Sequence, residues 1–333
     1  MFEFPVLLGD IGGTNARFAV LPGPHVPAVA LPPTLNAVHR TPADAIRVVL
    51  HEQDCPRPRS AFIAVATRVD APAVRLTNAP WLIDAADIGF HFGLSRVVLV
   101  NDYVPVAASL TAFHDGHPDL ERLGPALPSG RGAKLVLGPG TGLGAAALLS
   151  FGERLAIQST EAGHVDFGPG DEAEMALWSR IERVGGRITT ETLLSGPGLL
   201  RLYQACAASS GRAATCSTPE AVTLSGIGGS EDLAVDAMRL FARLLGRFAG
   251  DLALVFGATG GVFIGGGIAP RIVEVLKSAH FRASFENKAP YSGLMRRIPT
   301  YVIMQPVPAF AGLSEIASTP DRFLFAQEIW SRG

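Results

Sequence analysis

Short apolar runs, each closed by glycine or polar residues, recur along the chain and alternate with stretches of helical spacing. Phe4–Leu8 and Ala16–Leu21 read as the first two strands. Ser60–Val65 has the uninterrupted apolar character of a strand buried on both faces, Val74–Leu76 reads as a shorter strand, and Arg96–Val100 is another buried run that ends at Asn101-Asp102. Between them Thr41–Glu52 places Ala45, Ile46, Val49 and Leu50 at helical intervals, with Thr41 as N-cap and Pro42 at the first helical position. Val104–Leu110 reads as an apolar helix. After a loop rich in glycine, proline and charge (His114–Gly132), Ala133–Leu137 begins a second series. Its elements are a hairpin of Ala145–Ser150 and Arg154–Ile157, helical patterns at Glu172–Val184, from Thr190 through Tyr203 and at Asp232–Phe256, a strand at Val262–Ile264 and a helix at Ile272–Ser278. Strands alternating with helices predict a parallel or mixed sheet covered on both faces.

Each series opens on the same kind of unit. Leu8-Gly9-Asp10-Ile11-Gly12-Gly13-Thr14 lies between two apolar runs, and Leu137-Gly138-Pro139-Gly140-Thr141-Gly142 lies between two more. Aligned, Leu8, Gly9, Gly13 and Ala16 match Leu137, Gly138, Gly142 and Ala145. Glycines at such a turn allow positive φ and leave no Cβ in the way of a ligand, so successive backbone N–H groups can form an anion site. An ordinary glycine-rich hairpin explains one copy equally well; two copies, each opening a half-chain, predict a duplicated domain with a cleft between the copies.

With 333 residues the chain is long enough for two domains, and its mean hydropathy of +0.28 with 17% charged residues marks a globular protein. A net charge of −2 offers no electrostatic footprint for nucleic acid or an anionic membrane. Cys55, Cys206 and Cys216 are too far apart for a zinc motif, and with no CxxC they point to reduced thiols and a cytoplasmic setting. Met1–Pro5 lacks the basic start of a signal peptide. The uncharged runs Leu135–Gly152 and Leu252–Pro270 are broken by glycine clusters, so each reads as buried strand plus turn rather than a membrane span.

Gly140-x-Gly142-x-x-Ala145 satisfies the dinucleotide fingerprint formally, but a second strand follows where that fingerprint needs a helix. No GxxxxGK[ST] occurs, which excludes a P-loop. The remaining polar clusters sit at strand ends. Asn101 and Asp102 close a central strand, where open α/β sheets keep their ligands, although Asn-Asp also suits a helix cap. Glu161 and His164, three apart around a glycine, place a carboxylate and an imidazole where both can face a polyol. Gly265-Gly266-Gly267 ends a strand where backbone can lie flat against a planar ligand.

LLGDIGGTNARFAV, the strand-end Asn101-Asp102, LGPGTGLGAA, EAGHVDFGP, ETLLSGPGLLRLY, GGVFIGGGIAPR and FRASFENKAP together resemble the bacterial ATP-dependent glucokinase family, in its order and roughly its spacing from about residue 5 to about residue 320. The resemblance implies an α/β, duplicated ribonuclease-H-like (actin-like ATPase) fold. Its two domains, 1–114 plus about 306–333 and 115–305, would hold the active site in the cleft between them and close on the sugar. It implies transfer of the γ-phosphoryl of MgATP to the 6-hydroxyl of D-glucose, an entry step to glycolysis, by a homodimer with no structural metal. By the same resemblance Asp102 is the catalytic base, and Asn101, Glu161, His164 and Glu191 contact the sugar, with Asn78 in the loop that closes on it. Gly9, Asp10, Ile11, Gly12, Gly13 and Thr14 form the first phosphate loop, Thr141 and Gly142 the second, and Gly265, Gly266 and Gly267 the adenosine site; Asp10 lies near Mg²⁺, through water. Thr67-Arg68 departs from the small residue plus proline usual after the third strand, which bears on sugar selectivity. A sugar-responsive regulator on the same fold is disfavoured, since no basic recognition helix precedes the first strand.

Overall fold

The computed structural model describes residues 1–51, 55–76, 79–127 and 132–332. The chain divides into two compact units, Met1–Phe113 with Leu148–Ser159 and Val307–Gly333, and His114–Ala147 with Thr160–Pro306. Relative to the expected division, Leu148–Ser159 groups with the first unit.

In the first unit β1 (Val6–Ile11) and β2 (Asn15–Leu21) form an antiparallel hairpin in which Asp10 faces Arg17. β3 (Ser60–Val65) lies parallel to β1, and β4 (Arg96–Asn101) parallel to β3, so that Leu8, Phe62 and Val98 stand in register. All six residues of β3 are buried, as its unbroken apolar run predicts. Glu328–Ser331 closes one edge antiparallel to β4, and Val29–Ala30 and Thr34–Leu35 pair with β2 on the other. Ile46 and Val49 of the helix Pro42–His51 and Ile88 of the helix Ala85–Phe92 share a buried core with Phe18, Ile63 and Trp81. Thr41 caps the former as expected, its Oγ1 accepting the N–H of Asp44 at 3.1 Å.

The second unit repeats this plan. β5 (Lys134–Pro139) neighbours β6 (Leu143–Phe151), whose far end passes into the first unit. β7 (Gly261–Ile264) runs parallel to β5 with Leu137 opposite Ile264, and β8 (Thr300–Ile303) runs parallel to β7. The strand order is thus β2-β1-β3-β4 in one unit and β6-β5-β7-β8 in the other: an opening hairpin, then two parallel additions beside its first strand. The shared glycine pattern of the two hairpins is matched by shared connectivity. The core of the second unit is organised by the helix Asp232–Phe256, whose Phe241, Leu245 and Phe248 join a cluster with Leu202, Tyr203, Phe281 and Phe285.

Two helical stretches differ from their patterns. Glu172–Val184 is helical only to Trp178, and further on Gly185 and Gly186 at φ +58° and +79° fold a tight turn that bridges Val184 to Arg187. The stretch from Thr190 to Tyr203 is two helices, Thr190–Leu193 and Gly196–Ser210. Ser195 separates them by accepting the N–H of Gly198 at 3.1 Å as a fresh N-cap. Among the described residues no helix is long and apolar enough to cross a membrane.

Candidate active site

In the first unit the Gly9–Thr14 segment is not uniform. Gly9 is buried between Ile63 and Phe18, and the Ile11 side chain is fully buried in the core. The tip is Gly12-Gly13-Thr14, with Gly12 and Gly13 half-buried and Thr14 exposed, closed by a Gly12 N–H to Asn15 carbonyl bond of 2.9 Å. Asp10 stands just before this tip with its side chain 17% exposed, 3.3 Å from Arg17. Burial raises its carboxyl above the ordinary value, and Arg17 offsets part of that rise.

At the end of β4 the adjacent polar residues do different work. The Asn101 amide donates to the Thr67 carbonyl at 3.2 Å, and its Oδ1 accepts the N–H of Tyr103 at 3.0 Å. Asn101 therefore supplies the side-chain oxygen at the start of the helix Tyr103–Ser109. Asp102 sits at the N-cap position but makes no side-chain capping bond. Its own N–H donates to the Val65 carbonyl at 3.0 Å, which ties it to the end of β3. Thr67 thus acts through its backbone, while Arg68 forms an exposed pair with Asp70 at 3.0 Å. Asn78 lies outside the described residues.

In the second unit Glu161 and His164 approach to 3.8 Å, both side chains more than half exposed. The residue that holds their segment is one the sequence did not single out: Thr190 donates from Oγ1 to the carbonyls of Ala162 and Gly163 at 2.7 and 2.8 Å, and from N–H to Val165 at 3.0 Å. Its neighbour Glu191 accepts the N–H of Leu143 at 2.8 Å, next to Gly142. Three side chains and one turn are joined in this way: Glu161, His164, Glu191 and the Thr141-Gly142 turn.

Beside that turn opens a cavity of about 860 Å³, within the usual range for a small-molecule site. Gly140 and Thr141 line it from the hairpin, Gly196 and Pro197 from the start of a fifteen-residue helix, and Gly267 and Arg271 from the glycine-rich turn after β7. Leu224 and Ile227 of the helix Pro219–Ile227 add an apolar wall; both are largely exposed. The first N–H groups of that helix stay within the chain, Gly196 donating to the Gly140 carbonyl at 2.8 Å and Gly198 to Ser195 Oγ at 3.1 Å, and Pro197 has none, so the helix start lends the cavity its dipole rather than free donors. Of the three consecutive glycines, Gly267 lines the cavity; Gly265 donates to the Leu137 carbonyl at 2.8 Å, and Gly266, at φ +77°, lies against the backbone of Gly138 and Pro139.

Comparison with known proteins adds the decisive observation. The model of the family described as Glucokinase matches residues 7–320. A glucokinase of Chelativorans sp. (strain BNC1) is 40% identical over 323 residues, covering 97% of this chain and 94% of that one. The chain belongs to the glucokinase family.

A glucokinase of Sinorhizobium medicae (strain WSM419) is likewise 40% identical, over 98% of this chain and 96% of its own. The crystal structure of a glucokinase from an Antarctic psychrotroph is 29% identical with a TM-score of 0.80, over 94% of this chain and 98% of that one. By family this chain is an enzyme, an ATP-dependent hexose kinase. The wall Pro219–Ile227 is a part of the cavity that sequence reasoning missed. Its apolar positions carry no periodic face, so no signal distinguished it from any surface helix. For a divalent cation, the first hairpin offers one carboxylate, Asp10, beside backbone donors. That donor set fits Mg²⁺ arriving on nucleotide phosphates and held through water, rather than a protein-built metal cage.

Proposed function

We propose that this chain transfers the γ-phosphoryl of MgATP to the 6-hydroxyl of D-glucose, giving glucose 6-phosphate and ADP, on a duplicated actin-like ATPase scaffold. The observation that carries the reading is the Glu191–Leu143 bond, which couples a candidate sugar carboxylate to the glycine turn lining the cavity. The adenosine of ATP occupies that cavity, with Gly267 against the base and Leu224 and Ile227 covering it. Thr141, Gly142 and the Gly12–Thr14 tip present backbone donors to the phosphates.

Glu161, His164 and Glu191 hold sugar hydroxyls by acceptor pairs suited to a polyol, with Asn101 and Asn78 assigned to the same ligand. Asp102 accepts the proton of the 6-hydroxyl as its oxygen bonds to the γ-phosphorus and the bond to the β-phosphate oxygen breaks, releasing ADP. Mg²⁺, when bound, would neutralise phosphate charge, and Asp10 is the residue that would hold it through water. The protein's share is positioning and charge stabilisation, which is most of what phosphoryl transfer needs. We further propose a cytoplasmic homodimer.

The test is ADP release with MgATP against glucose, mannose, fructose and N-acetylglucosamine, repeated with polyphosphate as donor. Turnover chiefly on glucose with ATP supports the proposal. Preference for another hexose or for polyphosphate overturns the substrate assignment, and no turnover with any pair overturns the enzyme.

A further inference from the structure

Asn36 is buried to 2% exposure in a short helical turn, far in sequence from every motif, yet it is fastened to the tip of the first hairpin. Its side-chain nitrogen donates to the carbonyls of Gly12 at 2.8 Å and Gly13 at 3.1 Å, and its backbone N–H donates to Thr14 at 2.9 Å. Three consecutive carbonyls are therefore drawn to one side by one residue. A trans peptide is planar and points its N–H opposite its C=O. The amides that follow those carbonyls belong to Gly13, Thr14 and Asn15, and all three are turned away from Asn36. Consecutive N–H groups facing one side form an anion-binding concavity.

The chemistry of the side chain fits that task. Only an amide of this length brings two donors on one nitrogen to two carbonyls. Aspartate, with the same shape, would set carboxylate oxygens against them, and leucine would fill the space without donating. The Asn36 Oδ1 is buried with no hydrogen-bond partner among the described residues. Leaving an acceptor unpaired is unfavourable, so it is the nitrogen, not the oxygen, that accounts for an amide at this place.

We propose that Asn36 is a positioning residue that orients the Gly13 and Thr14 amides toward the terminal phosphates of ATP. This rests on the reading of that tip as a phosphate loop. Asn36→Asp and Asn36→Leu, compared with the wild-type enzyme, are expected to lower kcat/KM for ATP by about 10- to 100-fold, the range for residues that orient a ligand-holding group. The KM for glucose and the inhibition constant of AMP, which lacks the terminal phosphates, should stay within about threefold, since a group acting on one part of a ligand moves only that part's binding. Parallel loss of ATP and AMP binding would assign Asn36 a structural role and overturn the proposal, as would unchanged kinetics in a folded variant. The wild-type protein supplies an arm that does not depend on variant folding: the amide resonances of Gly13 and Thr14 should shift with a non-hydrolysable ATP analogue and not with AMP. Unmoved resonances in an enzyme that still phosphorylates hexose overturn the role of Asn36 alone. A wild-type protein inactive with every hexose and donor overturns the functional reading, and this inference with it.

Discussion

Glu191 reaches across from its helix to accept the backbone N–H of Leu143 at 2.8 Å, and so fixes the turn that carries Thr141 and Gly142. A Cβ at Gly142 would fall against the Glu191 carboxylate, so the absence of a side chain there is a condition of the contact. Glu191→Ala leaves a backbone donor without its acceptor, and kcat/KM for both glucose and ATP should fall about 10- to 100-fold. Glu191→Gln keeps an acceptor for Leu143 and should preserve the ATP constants better than the glucose constants. Steady-state kinetics with each substrate varied in turn decide it; ATP constants untouched by the alanine variant would separate the turn from the carboxylate.

The neighbours Asn101 and Asp102 should separate stability from catalysis. Asp102→Asn keeps the shape of the side chain and its backbone bond to Val65, so the melting temperature should change little while kcat falls about 10²- to 10⁴-fold. Asn101 supplies the oxygen at the helix start, and Asn101→Ala should cost about 0.5–2 kcal/mol of stability. Denaturant unfolding alongside kinetics reads both. Near-normal kcat in Asp102→Asn would remove it as the base.

Asp10 should act against stability at neutral pH. Burial raises its folded-state carboxyl above the ordinary 3.8. The folded state therefore binds this proton more tightly than the unfolded state. The group's favourable contribution is full below the ordinary value and is lost as pH rises through the raised one. Asp10→Asn removes that titration, and Arg17, with 41% of its side chain exposed, remains solvated. The variant should melt above wild type at pH 7, with the gain narrowing on acidification, while activity drops about 10- to 100-fold through weakened metal positioning. A lower melting temperature at pH 7 would mean that the Arg17 pair outweighs desolvation.

Glu174 braces the segment that follows the Glu161–His164 pair. Its carboxylate, 3% exposed, meets Arg243 at 2.9 Å, Arg247 at 2.7 Å and the Gly170 N–H at 2.6 Å. Arg247 in turn donates to the Gly168 carbonyl at 2.6 Å and stacks 4.2 Å over Phe167. Glu174→Ala leaves Arg243 only its Asp171 pair at 3.1 Å and Arg247 only its carbonyl and ring contacts, and losing this buried carboxylate should cost about 3 kcal/mol in urea unfolding. A loss below about 0.5 kcal/mol would place the brace with ordinary surface pairs.

Much of this was legible from local pattern, because strands and caps are set by adjacent residues. Ser60–Val65 and Asp232–Phe256 were bounded correctly from apolar runs and helical spacing alone. Both glycine turns were visible because the same glycine spacing recurs between two pairs of apolar runs. What local pattern hid was set by distant partners. Thr190 and Asn36 look like ordinary polar residues until folding brings Ala162, Gly163, Gly12 and Gly13 to them. Likewise nothing in Gly265-Gly266-Gly267 says which glycine serves the chain and which faces the cavity.

That division gives a sharp test. Gly266 holds φ +77°, and a Cβ there would press on the Pro139 carbonyl, so Gly266→Ala should destabilise the fold whatever it does to ATP. Nothing lies within 4 Å of a Cβ built on Gly267, and that residue lines the cavity. Gly267→Val should therefore fold, melt within a few degrees of wild type, and fill the space assigned to adenosine. The KM for ATP should rise about tenfold or more, as expected where bulk displaces an apolar contact worth a few kcal/mol, with the KM for glucose unchanged. If Gly267→Val binds ATP normally, the adenosine lies elsewhere and the cavity beside Thr141 serves another ligand.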